Sequence, residues 1–150
     1  MAQSLSSIPI HLIFSTKHRR PFISEDIESE LHPYLATIFK RLKSPSLAIG
    51  GSDDHVHSLF SLSRTIRIAD LVEELKADTS GWIKTRGTEF KEFYWQRGYG
   101  AFSIGQSQVP ALKLYIARQR IHHQRISFQD EYGKFLKSYG IDYDERYVWD

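Results

Sequence analysis

The chain has no cysteine among its 150 residues. That removes disulfide frameworks, thiolate metal sites and cysteine nucleophiles together. Any metal must rest on histidine, carboxylate, amide or water, and covalent catalysis must use an oxygen, lysine or histidine nucleophile. Long apolar runs are missing as well: none approaches the roughly eighteen residues that a membrane span needs. The opening MAQSLSSIPIH carries no basic leader region. A cytosolic (cytoplasmic) protein with no membrane partner is therefore expected. Charge of one sign is also scarce, +2 net from 20 Lys plus Arg against 18 Asp plus Glu, which excludes a histone-like polycation. No repeat, low-complexity stretch or linker divides the chain, so one domain over 1–150 is expected.

What is present is apolar and aromatic material, 41% and 13% of residues, enough to bury a core. Charge is unevenly spread. Basic residues gather at Lys17-His18-Arg19-Arg20 and from Arg118 to Arg125, acids at Glu25 to Glu30, Asp70 to Glu74 and in the tail. Such patches can hold a polyanion without a large net charge, or can be ordinary solvated surface.

The apolar run Ile8 to Ser15 reads as a buried strand. Ser24 offers a helix N-cap, and Ile27, Leu31, Tyr34, Leu35, Ile38 and Leu42 recur at helical spacing to about Lys43. Leu47 to Gly50 and His55 to Leu62 are two further strands around a glycine-rich turn. Ile68, Leu71, Val72, Leu75 and Trp82 mark a second helix ending near Gly87. Tyr94 to Ile104 is aromatic and β-prone, and Gln106 to about Gln124 forms a third helix with Pro110 in its first turn. A tail from about residue 127 adds one more helix, to Tyr139-Gly140. The order β-α-β-β-α-β-α suggests an α+β fold, a ferredoxin-like split βαβ antiparallel sheet with helices on one face.

The sharpest chemical feature is Asp54-His55-Val56-His57 at the start of a strand. Alternation sends both imidazoles to one face, where a rigid backbone lets them grip one divalent ion. A pair of ordinary strand histidines is the plainer alternative. On the third helix, Val109, Leu112 and Ile116 form the buried stripe, and Tyr115, Gln119 and His122 lie together on its flank. Tyr115 could be a nucleophile there and Gln119 an oxygen-donating ligand, or the two are a boundary tyrosine and a solvated glutamine. The halves fit one reaction. A phenol with a pKa near ~10 is a weak nucleophile at neutral pH. A cation on the phosphate's non-bridging oxygen lowers the demand on it. Attack would store the energy of the broken diester in a phosphotyrosine link, which a second hydroxyl can reverse. Imidazole suits zinc, nickel or copper equally, so the residues alone leave the ion open.

Five segments, taken in order, resemble one family. They are His11-Leu-Ile-Phe-Ser-Thr-Lys17-His-Arg19, Ile49-Gly-Gly-Ser-Asp-Asp54-His55-Val-His57, and Ala69-Asp-Leu-Val with Leu75-Lys76 and Trp82. Trp95-Gln-Arg-Gly-Tyr-Gly-Ala-Phe-Ser103 and Tyr115-Ile-Ala-Arg-Gln119 with His122-His123 complete the set. The chain resembles the single-tyrosine transposases of the HUH superfamily, the small enzymes of minimal bacterial insertion sequences and their REP-associated relatives. The resemblance implies Tyr115 as nucleophile, His55, His57 and Gln119 as ligands, and Mg2+ or Mn2+ as the ion, one per site. It implies single-stranded DNA hairpins as substrate, cut and rejoined through a 5′-phosphotyrosine. It also implies a homodimer in which the tyrosine helix of one subunit meets the histidine pair of the other.

Three positions depart from the family pattern. Ser58 stands where a hydrophobe is expected, Arg118 where asparagine is common, and the tail beyond Phe128 matches only some relatives. Lys17, Arg19, Arg20, Lys76 and Arg118 are the expected phosphate contacts. Tyr99 or Phe102 would either stack an unpaired base or fill the core. His11 reads as an ordinary strand residue, and His122 as a proton-transfer aid or an exposed histidine. The competing functions are a domesticated hairpin binder that has lost transposition, and a phosphoesterase using water as nucleophile. An RNA binder is a further alternative, but the glycine-aromatic signature of that fold is absent.

Overall fold

The protein is described from a computed structural model, over residues 2–123 and 125–150. Strand β1 (Pro9–Ser15) is followed by α1 (Glu25–Arg41). Ser24 caps α1, its hydroxyl accepting from the Ile27 N–H at 3.3 Å, and Glu25, Asp26 and Glu28 sit favourably at the positive helix end. Strands β2 (Ser46–Ser52) and β3 (His55–Ser61) form a hairpin, then come α2 (Ile68–Lys84) and β4 (Gly100–Ser103). The sheet order is β2-β3-β1-β4 with every pair antiparallel, the split βαβ arrangement the sequence suggested.

β1 is central and buried at every position. Its run of apolar residues, with no polar alternation, calls for cover on both sides. Ile10, Leu12 and Phe14 join Val56 and Phe60 under α1 and α2. On the opposite face, Leu59 meets Val109 and Ile116 of α3 (Val109–Ala117), and Ile13 and Phe102 meet Phe128, Tyr132 and Leu136 of α5 (Phe128–Ser138). The helices expected on one face are there, and α3 and α5 cover the second face as well.

Two segments differ from their expected form. Between Tyr94 and Ile104 only β4 and a single bridge from Trp95 to Thr16 are strand. Lys76 explains this: its ammonium donates to the carbonyls of Gln96, Arg97 and Gly98 at 2.7, 3.2 and 2.7 Å. Those acceptors are satisfied by a side chain instead of a neighbouring strand. The third helix is also not continuous. A 3₁₀ turn at Gln106–Gln108 leads into α3, and Arg118 (φ −103°, ψ 16°) breaks it before the short α4 (Gln119–His122). Its expected end at Gln124 lies outside the described residues.

Ser127 caps α5 by accepting from the Asp130 N–H at 3.1 Å, and the helical part of the tail ends at Ser138. The last residues fold back, and the Asp150 carbonyl accepts from the Gly98 N–H at 2.7 Å. Among the described residues no helix is long and apolar enough to cross a membrane.

Candidate active site

Alternation along β3 turns His55 and His57 toward α3, α4 and α5, and Val56 toward α1 and α2. Each ring is held at both nitrogens. His55 has Nδ1 2.7 Å from Asp54 Oδ1 and Nε2 3.0 Å from Gln119 Oε1. His57 has Nδ1 2.8 Å from His11 Nε2 and Nε2 2.9 Å from Glu131 Oε1. In both, a partner on Nδ1 aims Nε2 into the site, the arrangement that metal-ligating histidines use to fix ring orientation.

Gly50 lets α3 come close enough to complete the site. It pairs with His57 across the β2–β3 hairpin and faces α3. A Cβ at this position would lie 2.1 Å from the carbonyl oxygen of Ile116. With no side chain there, α3 seats directly on the strand, and Tyr115 and Gln119, four residues apart, descend to the histidines. The Tyr115 and His57 ring centroids are 5.9 Å apart within the same chain. Arg120 anchors the next turn, bonding to the Glu28 carboxylate, to Asp53 Oδ1 at 2.6 Å and to the Ile23 carbonyl at 2.9 Å.

Glu131 of α5 is the hub. Its Oε2 accepts from the Tyr115 hydroxyl and, at 3.1 Å, from Gln119 Nε2; its Oε1 lies 2.9 Å from His57 Nε2 and 3.0 Å from His123 Nε2. Burial alone would push this carboxyl up, but the donors from His123, His57 and Tyr115 hold it well below the usual range. Burial, and then Glu131, push the Tyr115 phenol above its ordinary value. Burial drives His57 down to about 4 despite Glu131, and burial and then His57 drive His11 down to about 3. These two histidines are neutral at pH 7. If His57 Nε2 carries the proton toward Glu131, its Nδ1 accepts from His11 Nε2, and the buried His11 Nδ1 is left without a partner. Reversed, the relay bares the His57 Nε2 electron pair toward Glu131 Oε1, an arrangement that is favourable with a cation between them.

The donors suit a divalent cation. His55, His57, His123 and Glu131 each bring one ligand atom within 4.8 Å of the others, and Gln119 Oε1 faces His55 Nε2. On the open side, a cleft of about 560 Å³ lined by Leu112, Tyr115, His122, Lys134 and Phe135 leads to the phenol. His122 Nε2 lies 3.3 Å from the Tyr115 hydroxyl, and burial lowers the pKa of this imidazole.

The structure thus brings Tyr115, His55, His57 and Gln119 together in one chain. It treats the expected phosphate contacts unevenly. Lys17, Arg20 and Arg118 are exposed. Arg19 lies 5.8 Å over the Trp149 ring and Arg20 4.6 Å over Phe22. Lys76 is turned inward onto three carbonyls, its pKa lowered by burial to about 8, so its N–H donors are already used. Phe102 is buried beside His11 and Phe135, which makes it core and not a stacking platform; Tyr99 is half-buried. Sequence reasoning missed Glu131 and underrated His11. The signal for Glu131 was present: it shares the apolar stripe of Phe128, Tyr132, Phe135 and Leu136, where a carboxylate needs a partner.

Residues 4–119 match a family model described as transposase, IS200-like. Among solved structures, the chain is similar to a candidate transposase from Deinococcus radiodurans R1, at 19% identity and a TM-score of 0.63, covering 80% of this chain and 96% of that one. It is also similar to a REP-associated tyrosine transposase bound to a REP hairpin, at 13% identity and a TM-score of 0.59, covering 84% of this chain and 76% of that one. At these identities the likeness is one of fold. No curated protein matches the chain.

Proposed function

Since the chain belongs to the IS200-like transposase family, we propose that it cuts and rejoins single-stranded, hairpin-marked DNA through a covalent 5′-phosphotyrosine at Tyr115. One observation carries this reading. The Tyr115 hydroxyl and His57 Nε2 share the Glu131 carboxylate, while Gln119, one turn beyond the tyrosine, reaches His55.

Tyr115 Oη attacks phosphorus, the P–O3′ bond breaks, and the products are a tyrosyl 5′-phosphate and a strand with a free 3′-hydroxyl. The phenol's proton, donated to Glu131 Oε2 in the resting site, passes to His122 Nε2 at 3.3 Å once the hydroxyl turns, and the departing 3′-oxygen takes a proton from water. Glu131 Oε2 fixes the phenol so that the attack starts from one orientation. A 3′-hydroxyl entering the same position reverses the reaction and releases the tyrosine. His55, His57 and Gln119 would hold the divalent cation, Mg2+ or Mn2+ by resemblance, and it would supply neutralising charge to the scissile phosphate. Lys17, Arg19, Arg20 and Arg118 are proposed to hold phosphates along the strand. The hairpin named with the REP-associated structure supports a folded single strand as ligand.

The test is denaturing electrophoresis after incubation with Mn2+ and labelled single-stranded hairpins taken from DNA flanking the gene. Wild type forms a DNA-linked band, Tyr115→Phe forms none, and His57→Ala forms far less. A band that persists in Tyr115→Phe refutes the nucleophile. A shifted complex with no covalent band in wild type supports the domesticated binder instead, and a released 5′-phosphate without adduct supports hydrolysis.

A further inference from the structure

The family match ends at residue 119, yet the carboxylate at the centre of the site comes from α5, beyond it. We propose that Glu131 is a ligand of the divalent cation in this protein, so that the site is His55, His57, Gln119 and Glu131 and α5 is part of the metal centre. The inference rests on the metal-dependent reading above and extends it to a residue the family region does not contain.

Ligand atoms placed about 2.1 Å from a common octahedral cation stand about 3 Å apart when they are neighbours. Glu131 Oε1 is 2.9 Å from His57 Nε2 and 3.6 Å from His55 Nε2, and His55 Nε2 is 3.0 Å from Gln119 Oε1. These are spacings for ligands that share an ion. The carboxylate also divides its oxygens usefully. Oε1 faces the imidazoles, whereas Oε2 is taken by Tyr115 and Gln119. Coordination through Oε1 therefore leaves Oε2 on the phenol and ties the nucleophile to the cation through one side chain. A carboxylate also brings a hard anionic oxygen to a set otherwise made of neutral donors, which favours Mg2+ and Mn2+ over softer ions. Glu131 is buried to 2% exposure on a helix capped by Ser127 and packed through Phe128, Tyr132 and Leu136. It is held in place before any ion arrives.

The experiment is calorimetric titration of the metal-free full-length protein with MnCl2, on wild type, Glu131→Gln and His57→Ala. Expected is one Mn2+ per chain in wild type, an affinity at least tenfold weaker in Glu131→Gln, and a comparable or larger loss in His57→Ala. Binding lost in His57→Ala but unchanged in Glu131→Gln overturns the proposal and leaves the two-histidine reading standing. Binding unchanged in both variants overturns both. A second measurement does not depend on a variant folding. In wild-type protein carrying 13C at its glutamate carboxyls, Mn2+ should shift one antisymmetric carboxylate stretch in the infrared difference spectrum. No such shift overturns the proposal.

Discussion

Adding one methyl group at Gly50 tests whether the seating of α3 on the sheet builds the site. In Gly50→Ala the new Cβ would lie 2.1 Å from Ile116 O, 2.8 Å from Ile116 Cγ2 and 2.9 Å from Ile116 C. The side-chain atom can rotate away, but the two backbone atoms can move only with the helix. A carbon–oxygen contact is comfortable near 3.3 Å, so α3 must lift by about 1.2 Å. β2 is held in register by β3, whereas α3 is fixed to the sheet mainly through Val109 and Ile116, so the displacement falls on the helix. Overpacking of this kind costs about 1–3 kcal/mol. For a chain of this size, that lowers Tm by roughly 3–9 °C.

The larger effect is on chemistry. The His55–Gln119 contact of 3.0 Å opens beyond hydrogen-bond range, and Tyr115 is withdrawn from Glu131. A misplacement near 1 Å typically costs about a hundredfold in rate. The assay is the rate of adduct formation on a hairpin substrate with Mn2+, alongside thermal melts that confirm folding at the assay temperature. Gly81→Ala is the control: nothing lies within 4 Å of a Cβ there, so it should leave the rate unchanged and raise stability by about 0.4–1 kcal/mol. A Gly50→Ala protein that forms adduct at the wild-type rate would refute the claim that the glycine permits the site.

Acid should destabilise the metal-free fold. Burial holds His11 down to about 3 and His32 and His57 down to about 4, so all three fold neutral and regain a pKa near 6.5 on unfolding. Their stabilising share is complete above pH 6.5 and falls as pH drops from there toward 4, by about 1.4 kcal/mol per histidine per pH unit; denaturant midpoints that stay constant from pH 7 to 5 would contradict this. Lys76→Ala should cost about 1–3 kcal/mol in urea unfolding, because three carbonyls lose their donor, and should leave the salt slope of DNA binding unchanged. Arg118→Ala, at an exposed residue, should do the reverse, lowering the log–log salt slope by about 1 with little change in stability. Mixing Tyr115→Phe with His55→Ala subunits should not restore activity, because the phenol and the histidines meet within one chain; restored adduct would establish exchange between subunits.

The split βαβ order was legible in the sequence because each element announces itself locally. Ser24 ahead of an acidic first turn starts α1, and two apolar runs a few residues apart form the β2–β3 hairpin, although its turn is Asp53-Asp54 and the glycines expected in that turn lie within β2. The side on which His55 and His57 project follows from strand alternation, and the shared flank of Tyr115 and Gln119 follows from helical spacing. What periodicity could not reveal was where a locally plausible residue would be spent. Lys76 resembles a surface cation on an amphipathic helix, but the backbone from Gln96 to Gly98 bends around it. Tyr94 to Ile104 has strand composition, but only Gly100–Ser103 and the Trp95 bridge pair as strand, while the carbonyls of Gln96, Arg97 and Gly98 accept from that ammonium.

The sequence by itself determined the strands, the helices and the directions in which the two histidines, the tyrosine and the glutamine point, because these depend on repeats of two and 3.6 residues. Only the tertiary structure decided that they meet in one chain, that Gly50 admits the helix, and that His11 backs His57. It alone brought Glu131, 74 positions from His57, to the middle of them. Pairing across such separations is set by how apolar faces are covered: β1 needed both sides of the sheet closed, and α5, in closing one, carried a carboxylate into the site.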